Sequence, residues 1–146
     1  MPEITFVVPG PPKGKGRPRA RVMSGGKFAQ MYTPKDTVEY ENLVKMAFSQ
    51  AAPDHTQLDV PVHAHIRAYW PIPKSFSKKK QDKIDSGHLR PVTKPDLDNV
   101  AKCILDSLNK IAFRDDSFVQ TMTVMKFYHR RPHVLVTLEW EDSHGS

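Results

Sequence analysis

The sequence predicts an α+β fold: one domain over residues 1–146, a mixed sheet of about four strands, and two long helices packed on one face of it. Two observations carry this. Residues 58–70 alternate strictly between apolar and polar, the period of a half-buried strand. Two separate stretches, Tyr40 to Ala51 and Leu97 to Leu108, instead repeat apolar residues at helical spacing. A length of 146 residues suits a single core.

In chain order, Glu3–Pro9 reads as a strand, with Ile4, Phe6 and Val8 on one face. Residues 10–21, GPPKGKGRPRAR, carry Lys13, Lys15, Arg17, Arg19 and Arg21 with no acidic residue. Their glycines and prolines predict an extended loop, and loop cations of this kind suit a phosphate backbone. A connector or short hairpin around Ser24-Gly25-Gly26 follows. Thr33 then caps a helix with Pro34 in its first position and Asp36 in its positive first turn. Tyr40, Leu43, Val44, Ala47, Phe48 and Ala51 form its core stripe, and Pro53 stops it.

In the strand 58–70, Val60 to Trp70 face one side, while His63, His65, Arg67 and Tyr69 face the other. The histidine pair reads as a polar row, because two imidazoles alone do not make a zinc site. Residues 77–85 form a short lysine-rich surface helix closed by Gly87. Pro91 and Pro95 keep the following segment extended. A second long helix spans 96–110, its apolar face built from Leu97, Val100, Ala101, Ile104, Leu105 and Leu108. Strands at 117–128 and 133–141 and a frayed tail complete the chain.

The net charge is +6 and the pI about 9.5, which favours an anionic partner such as nucleic acid. Cys103 is the single cysteine, so no intramolecular disulfide exists and a cytoplasmic location is expected. No apolar run is long enough to span a membrane, and the first residues lack a signal-peptide pattern. The absence of HExxH, GxSxG and Walker A patterns leaves no small-molecule cofactor to expect.

The chemistry concentrates in KPDLDNVAKCILDSLNKIAFRDD, residues 94–116. Lys94-Pro95 places Asp96 at the helix cap, and Asp98 enters the first turn. Two acids inside a helix would diverge by about 200°; with Asp96 outside it, the two carboxylates can converge. Lys102 follows Asp98 by four residues on the same edge. The helix is long enough to hand the chain back, so that Asp116 returns beside Asp96. Carboxylates about 4–5 Å apart repel by several kcal/mol at an effective dielectric of about 20, and a divalent cation relieves that repulsion. Hard oxygen ligands select Mg2+ or Mn2+, whose chemistry includes phosphodiester hydrolysis. Taken singly, these groups are also good caps and ion pairs.

The pattern Lys94, Pro95, Asp96, Leu97, Asp98, Asn99, Lys102, Asp106, Leu108, Asn109, followed by Asp115, Asp116 and Val119, resembles the RusA family of Holliday junction resolvases. The opening PGPPKGKGRPR resembles a subgroup of that family. The resemblance implies a RusA-like fold and a homodimeric, Mg2+-dependent endodeoxyribonuclease that cuts four-way DNA junctions symmetrically. It places the catalytic carboxylates and metal ligands at Asp96, Asp98 and Asp116, with Asp115 the alternative ligand, and the essential lysine at Lys102. Asn99 and the loop cations Lys13, Lys15, Arg17, Arg19 and Arg21 are its DNA-binding candidates, and Asp106 a structural residue. The rival readings are a nuclease for other branched DNA and a non-catalytic basic nucleic-acid-binding domain.

Overall fold

The computed structural model describes residues 1–16, 19–22, 29–32 and 34–141, with the backbone alone for 19–22 and 29–32. The elements are β1 (Glu3–Pro9), β2 (Arg19–Val22), β3 (Ala29–Tyr32), α1 (Lys35–Ala51), β4 (Val62–Pro71), α2 (Lys78–Asp85), α3 (Leu97–Leu108), a 3-10 turn (Asp116–Phe118), β5 (Val119–His129) and β6 (His133–Trp140). The architecture is α+β, as the pattern predicts. A four-stranded sheet runs in the order β1-β6-β4-β5, and β2-β3 is a separate antiparallel pair. The large sheet is mixed: β6 pairs antiparallel with both β1 and β4, while β4 and β5 are parallel.

The strict alternation in β4 produces its one-sided burial. Val62, Ala64, Ile66, Ala68 and Trp70 are buried, together with Phe6 and Val8 of β1 and Val134, Val136 and Leu138 of β6. This face receives Tyr40, Val44 and Phe48 of α1 and Val100, Ala101, Ile104 and Leu108 of α3. Burying each large apolar side chain contributes roughly 1.5–3 kcal/mol. Helix α3 is therefore held along its length, and its exposed polar groups sit on a rigid support.

Several boundaries differ from the sequence pattern for local reasons. The fourth strand starts at Val62, because Pro61 cannot donate to a ladder; Leu58 instead bridges to Phe113. The hairpin reaches back into the basic loop, pairing Arg19 with Tyr32, so Arg19 and Arg21 lie on strand backbone. Arg17, Pro18, Thr33 and residues 23–28 and 142–146 lie outside the described residues. Pro34 occupies the N-cap of α1 and Lys35 begins the helix. Helix α3 begins where expected and stops at Leu108, with Lys110 in the left-handed region (φ 65°).

The opposite face of the sheet carries His63, His65 and Tyr69. His63 Nδ1 lies 2.7 Å from Thr121 Oγ1, and His65 Nε2 lies 3.6 Å from Glu139. Tyr69 stacks on Phe127 and His133. The histidines are partnered by neighbouring strands, in keeping with a polar row.

Candidate active site

The stretch leading into α3 is anchored by strand residues that carry no local signal in the sequence. Trp70 Nε1 donates to the Lys94 carbonyl at 3.2 Å. Lys126 Nζ donates to the Thr93 carbonyl at 2.7 Å and lies 4.7 Å from the centre of the Trp70 ring. The Lys94-Pro95 peptide is cis. These contacts set Asp96 at the ends of β4 and β5.

Asp96 is the N-cap residue, extended at φ −69°, ψ 155°, and its side chain makes no capping hydrogen bond. The helix instead begins through the Asp96 carbonyl, which accepts from Val100 N at 3.0 Å. An aspartate at a cap ordinarily satisfies an orphan N–H; here the carboxylate is left exposed, with the Lys94 ammonium 3.9 Å away. Asp98, in the first turn, and Lys102, one turn on, are both exposed. Among the described residues no ion pair joins them, so their charges remain open to other partners.

Asp116 stands elsewhere. Its N–H donates to Asn109 Oδ1 at 3.1 Å, and Asn109 is the C-cap of α3. The chain turns tightly after the helix, with Lys110 N donating to Phe113 O and Arg114 N to Leu58 O. The 12 residues of α3 span about 18 Å at about 1.5 Å each, with Asp96 at one end and Asp116 at the other. The expected return of Asp116 beside Asp96 does not occur in this chain. The physical reason is that Leu58 and Asn109 hold the connector at the C-terminal end of the helix. Neighbouring Asp115 is committed: it caps the 3-10 turn, accepting from Ser117 N at 3.2 Å. Hydrogen bonds from Ser117 hold its carboxyl below the ordinary aspartate range.

The basic loop is docked, and Lys15 does the docking. Its ammonium lies 3.2 Å from both Glu41 of α1 and Asp106 of α3. Burial works against this charge, but the bonds to Asp106 and Glu41 outweigh it and raise the lysine above its ordinary value. Lys15 N also donates to the Asn99 carbonyl at 3.3 Å, and Gly16 N to Thr37 Oγ1 at 3.1 Å. Gly14 lies so close to α3 that a Cβ there would sit 2.8 Å from Asn99 Nδ2. Lys15 is thus neutralised internally rather than presented to solvent. Glu41, Thr37, Trp70 and Lys126 are the structural participants that sequence reasoning missed. The one available signal was an acid, Glu41, bordering the apolar stripe of α1.

Between the docked loop and the start of α3 lies an open groove of about 410 Å³, lined by Pro12, Lys13, Gly14, Asp36, Lys94 and Asp96 among others. It brings together Lys13, Asn99 and Asp96. Cys103 takes no part: burial, then the Glu41 charge, push its thiol up to about 11, so it is no nucleophile at neutral pH.

Among the described residues no three carboxylate, imidazole or thiol groups gather into a metal cage. The exposed oxygen donors of Asp96 and Asp98 nevertheless suit a hard cation, because Mg2+ is ordinarily held by one or two carboxylates, with waters and substrate phosphate completing the shell. In that event Asp96 and Asp98 would hold it.

Two comparisons bear on this arrangement. The family profile described as Endodeoxyribonuclease RusA matches residues 9–139. The uncharacterized protein YqaN of Bacillus subtilis (strain 168) is 39% identical over 137 residues, covering 92% of this chain and 94% of that protein. The matched span takes in the docked loop, both long helices, β4, β5 and all of β6 but Trp140, and of β1 only Pro9. A likeness that runs through the scaffold as well as the Asp96–Asp116 stretch identifies the chain as a member of the RusA endodeoxyribonuclease family.

Proposed function

We propose that this chain is a Mg2+-dependent nuclease of the cytoplasm that resolves four-way DNA junctions by paired, symmetric incisions, acting as a homodimer. The observation that carries the proposal is the cap residue that does not cap: Asp96 is held by Trp70 and Lys126 through the neighbouring backbone, yet its carboxylate is left open beside Asp98. Membership of an endodeoxyribonuclease family supports hydrolysis of DNA.

In this reading Asp96, Asp98 and Asp116 are the metal ligands, and Mn2+ could take the place of Mg2+. The choice of Asp116 over Asp115 is supported by the capping bond that occupies Asp115. A bound divalent cation would polarise the scissile phosphate and lower the pKa of its water. Lys102 would stabilise negative charge as the phosphate is attacked. Lys13, Arg17, Arg19, Arg21 and Asn99 would hold the flanking backbone, with Lys13 and Asn99 already lining the groove next to Asp96. A junction with approximate two-fold symmetry needs two cuts, and a symmetric dimer supplies two equivalent centres.

The test is incubation with synthetic four-way junctions, flaps and linear duplex, with and without Mg2+. Junction cutting that requires the metal and exceeds duplex cutting is expected. Equal cutting of linear duplex removes the resolvase reading, and binding without metal-dependent cutting leaves a non-catalytic DNA-binding domain.

A further inference from the structure

We propose that Arg130 and Arg131, on the connector between β5 and β6, form a phosphate-binding site for the arm of DNA that runs on from the reaction centre. This rests on the nuclease reading above and adds to it a contact that none of the residues named there supplies.

The connector is short and firmly held. Strands β5 and β6 lie on either side of β4, so residues 130–132 cross over its end. Strands two places apart in a sheet are separated by about 9.6 Å, and the chain from His129 to His133 reaches at most about 14 Å, so little slack remains. Two histidines grip the middle of the span. His129 Nδ1 accepts from the Arg131 N–H at 2.9 Å, and His133 Nδ1 donates to the Arg131 carbonyl at 2.7 Å. Both rings pack on Tyr69, His133 stacked at 4.3 Å and His129 edge-on at 5.5 Å between centroids. Tyr69 also stacks on Phe127, and the Arg90 guanidinium lies 4.7 Å from the centre of the Phe127 ring. Pro132 has a fixed φ, and its carbonyl accepts from Gly10 N at 3.1 Å.

This bracing presents two charges that the fold itself does not use. Arg130 and Arg131 are both exposed, and among the described residues neither has a carboxylate in ion-pair range. A held backbone with open guanidiniums loses little freedom when it binds. The planar fork of arginine matches two oxygens of a phosphate.

The position of the connector selects the ligand. It stands at the end of the sheet where Trp70 and Lys126 hold the approach to Asp96. Through Gly10 it adjoins the head of the docked loop that carries Lys13. Lys13, Arg90, Arg130 and Arg131 thus form a spaced row of cations, which suits the repeating charge of a nucleic-acid backbone. Arg130 follows Lys126 along β5 by about 13 Å at about 3.3 Å per residue. At about 3.4 Å per base pair this is roughly four base pairs. The site therefore takes a backbone phosphate of the duplex arm, away from the phosphate that is cut, and it reads no sequence.

The test is junction binding in Mg2+-free buffer, measured over a series of salt concentrations. The double variant Arg130→Ala, Arg131→Ala should bind more weakly, and equally so for junctions of different sequence. Its slope of log K against log salt should fall by about 1.8, at about 0.9 for each lost phosphate contact. Arg130→Lys, Arg131→Lys should keep the slope, since the charges remain. A second measurement replaces single phosphates by neutral methylphosphonates, about three to six nucleotides from the incision. One or more of these should weaken binding by wild type and leave the alanine variant unaffected. Unchanged affinity and slope in the alanine variant overturn the site, even where wild type cuts junctions normally. A variant as sensitive to every methylphosphonate as wild type overturns it too. The expected loss of slope in a protein whose wild type cuts no DNA removes the nuclease reading alone and leaves the phosphate site standing.

Discussion

Two lysines beside α3 are treated in opposite ways. Lys15 lies between Glu41 and Asp106 with its side chain only 23% exposed. Lys102, on the same helix as Asp106, is exposed with no carboxylate in reach among the described residues. The acids divide likewise: Asp106 and Asp115 have partners, while the Asp98 carboxylate has none among the described residues. A charge neutralised inside the fold holds structure together. A charge left open on a rigid support is available to a cation or a phosphate brought from outside. Chemical type does not separate these groups; the presence of a partner does.

The largest effect expected from breaking this contrast is at the open charges. Asp98→Asn should lower junction cutting at least about a hundred-fold if Asp98 is the metal ligand proposed above, since such a loss forfeits several kcal/mol of barrier lowering. Junction binding, read by gel shift in Mg2+-free buffer, should persist. Normal cutting by this variant would mean that the open carboxylate is surface decoration.

A smaller effect is expected at the closed charges, and its sign is informative. The double change Glu41→Gln, Asp106→Asn removes two negative charges from a DNA-binding protein. Were Lys15 a phosphate contact, binding would tighten. As a strut it undocks the loop, so junction binding should weaken and stability fall by about 1–3 kcal/mol for a mostly buried pair. Hydrogen exchange at the Lys15 amide, now bonded to Asn99, should rise; unchanged exchange would contradict the strut. The pH dependence follows from the raised lysine. Its contribution is fully present below the ordinary lysine value of 10.5 and is lost as pH rises beyond it.

The smallest effect concerns Asp115, which is half-buried at the 3-10 turn. Asp115→Ala should lower Tm slightly by removing the cap of the 3-10 turn, and should leave cutting near wild type. Because the folded carboxyl titrates below its ordinary value of 3.8, its contribution is present above that pH and is lost as pH falls through the lowered value. The difference in Tm between variant and wild type should therefore vanish in acid. A large loss of cutting would instead exchange the roles of Asp115 and Asp116.

Much of this molecule was legible in the residues themselves. The apolar stripe of α3, the cap position of Asp96, the alternation of β4 and the division into strands and helices all follow from local spacing, because backbone periodicity forces side chains three or four apart, or two apart, onto one face. The family pattern was legible for the same reason: its residues lie within one continuous stretch. The tertiary structure alone decided which charges were answered. Lys15 meets Glu41 and Asp106 only once the loop crosses two helices, and no period links those positions. It also decided the direction of the connector after α3. The length of the helix permitted Asp116 to return; the bonds from Asn109 and Leu58 hold it at the far end, because backbone N–H and C=O groups take the partners that the packed chain places beside them.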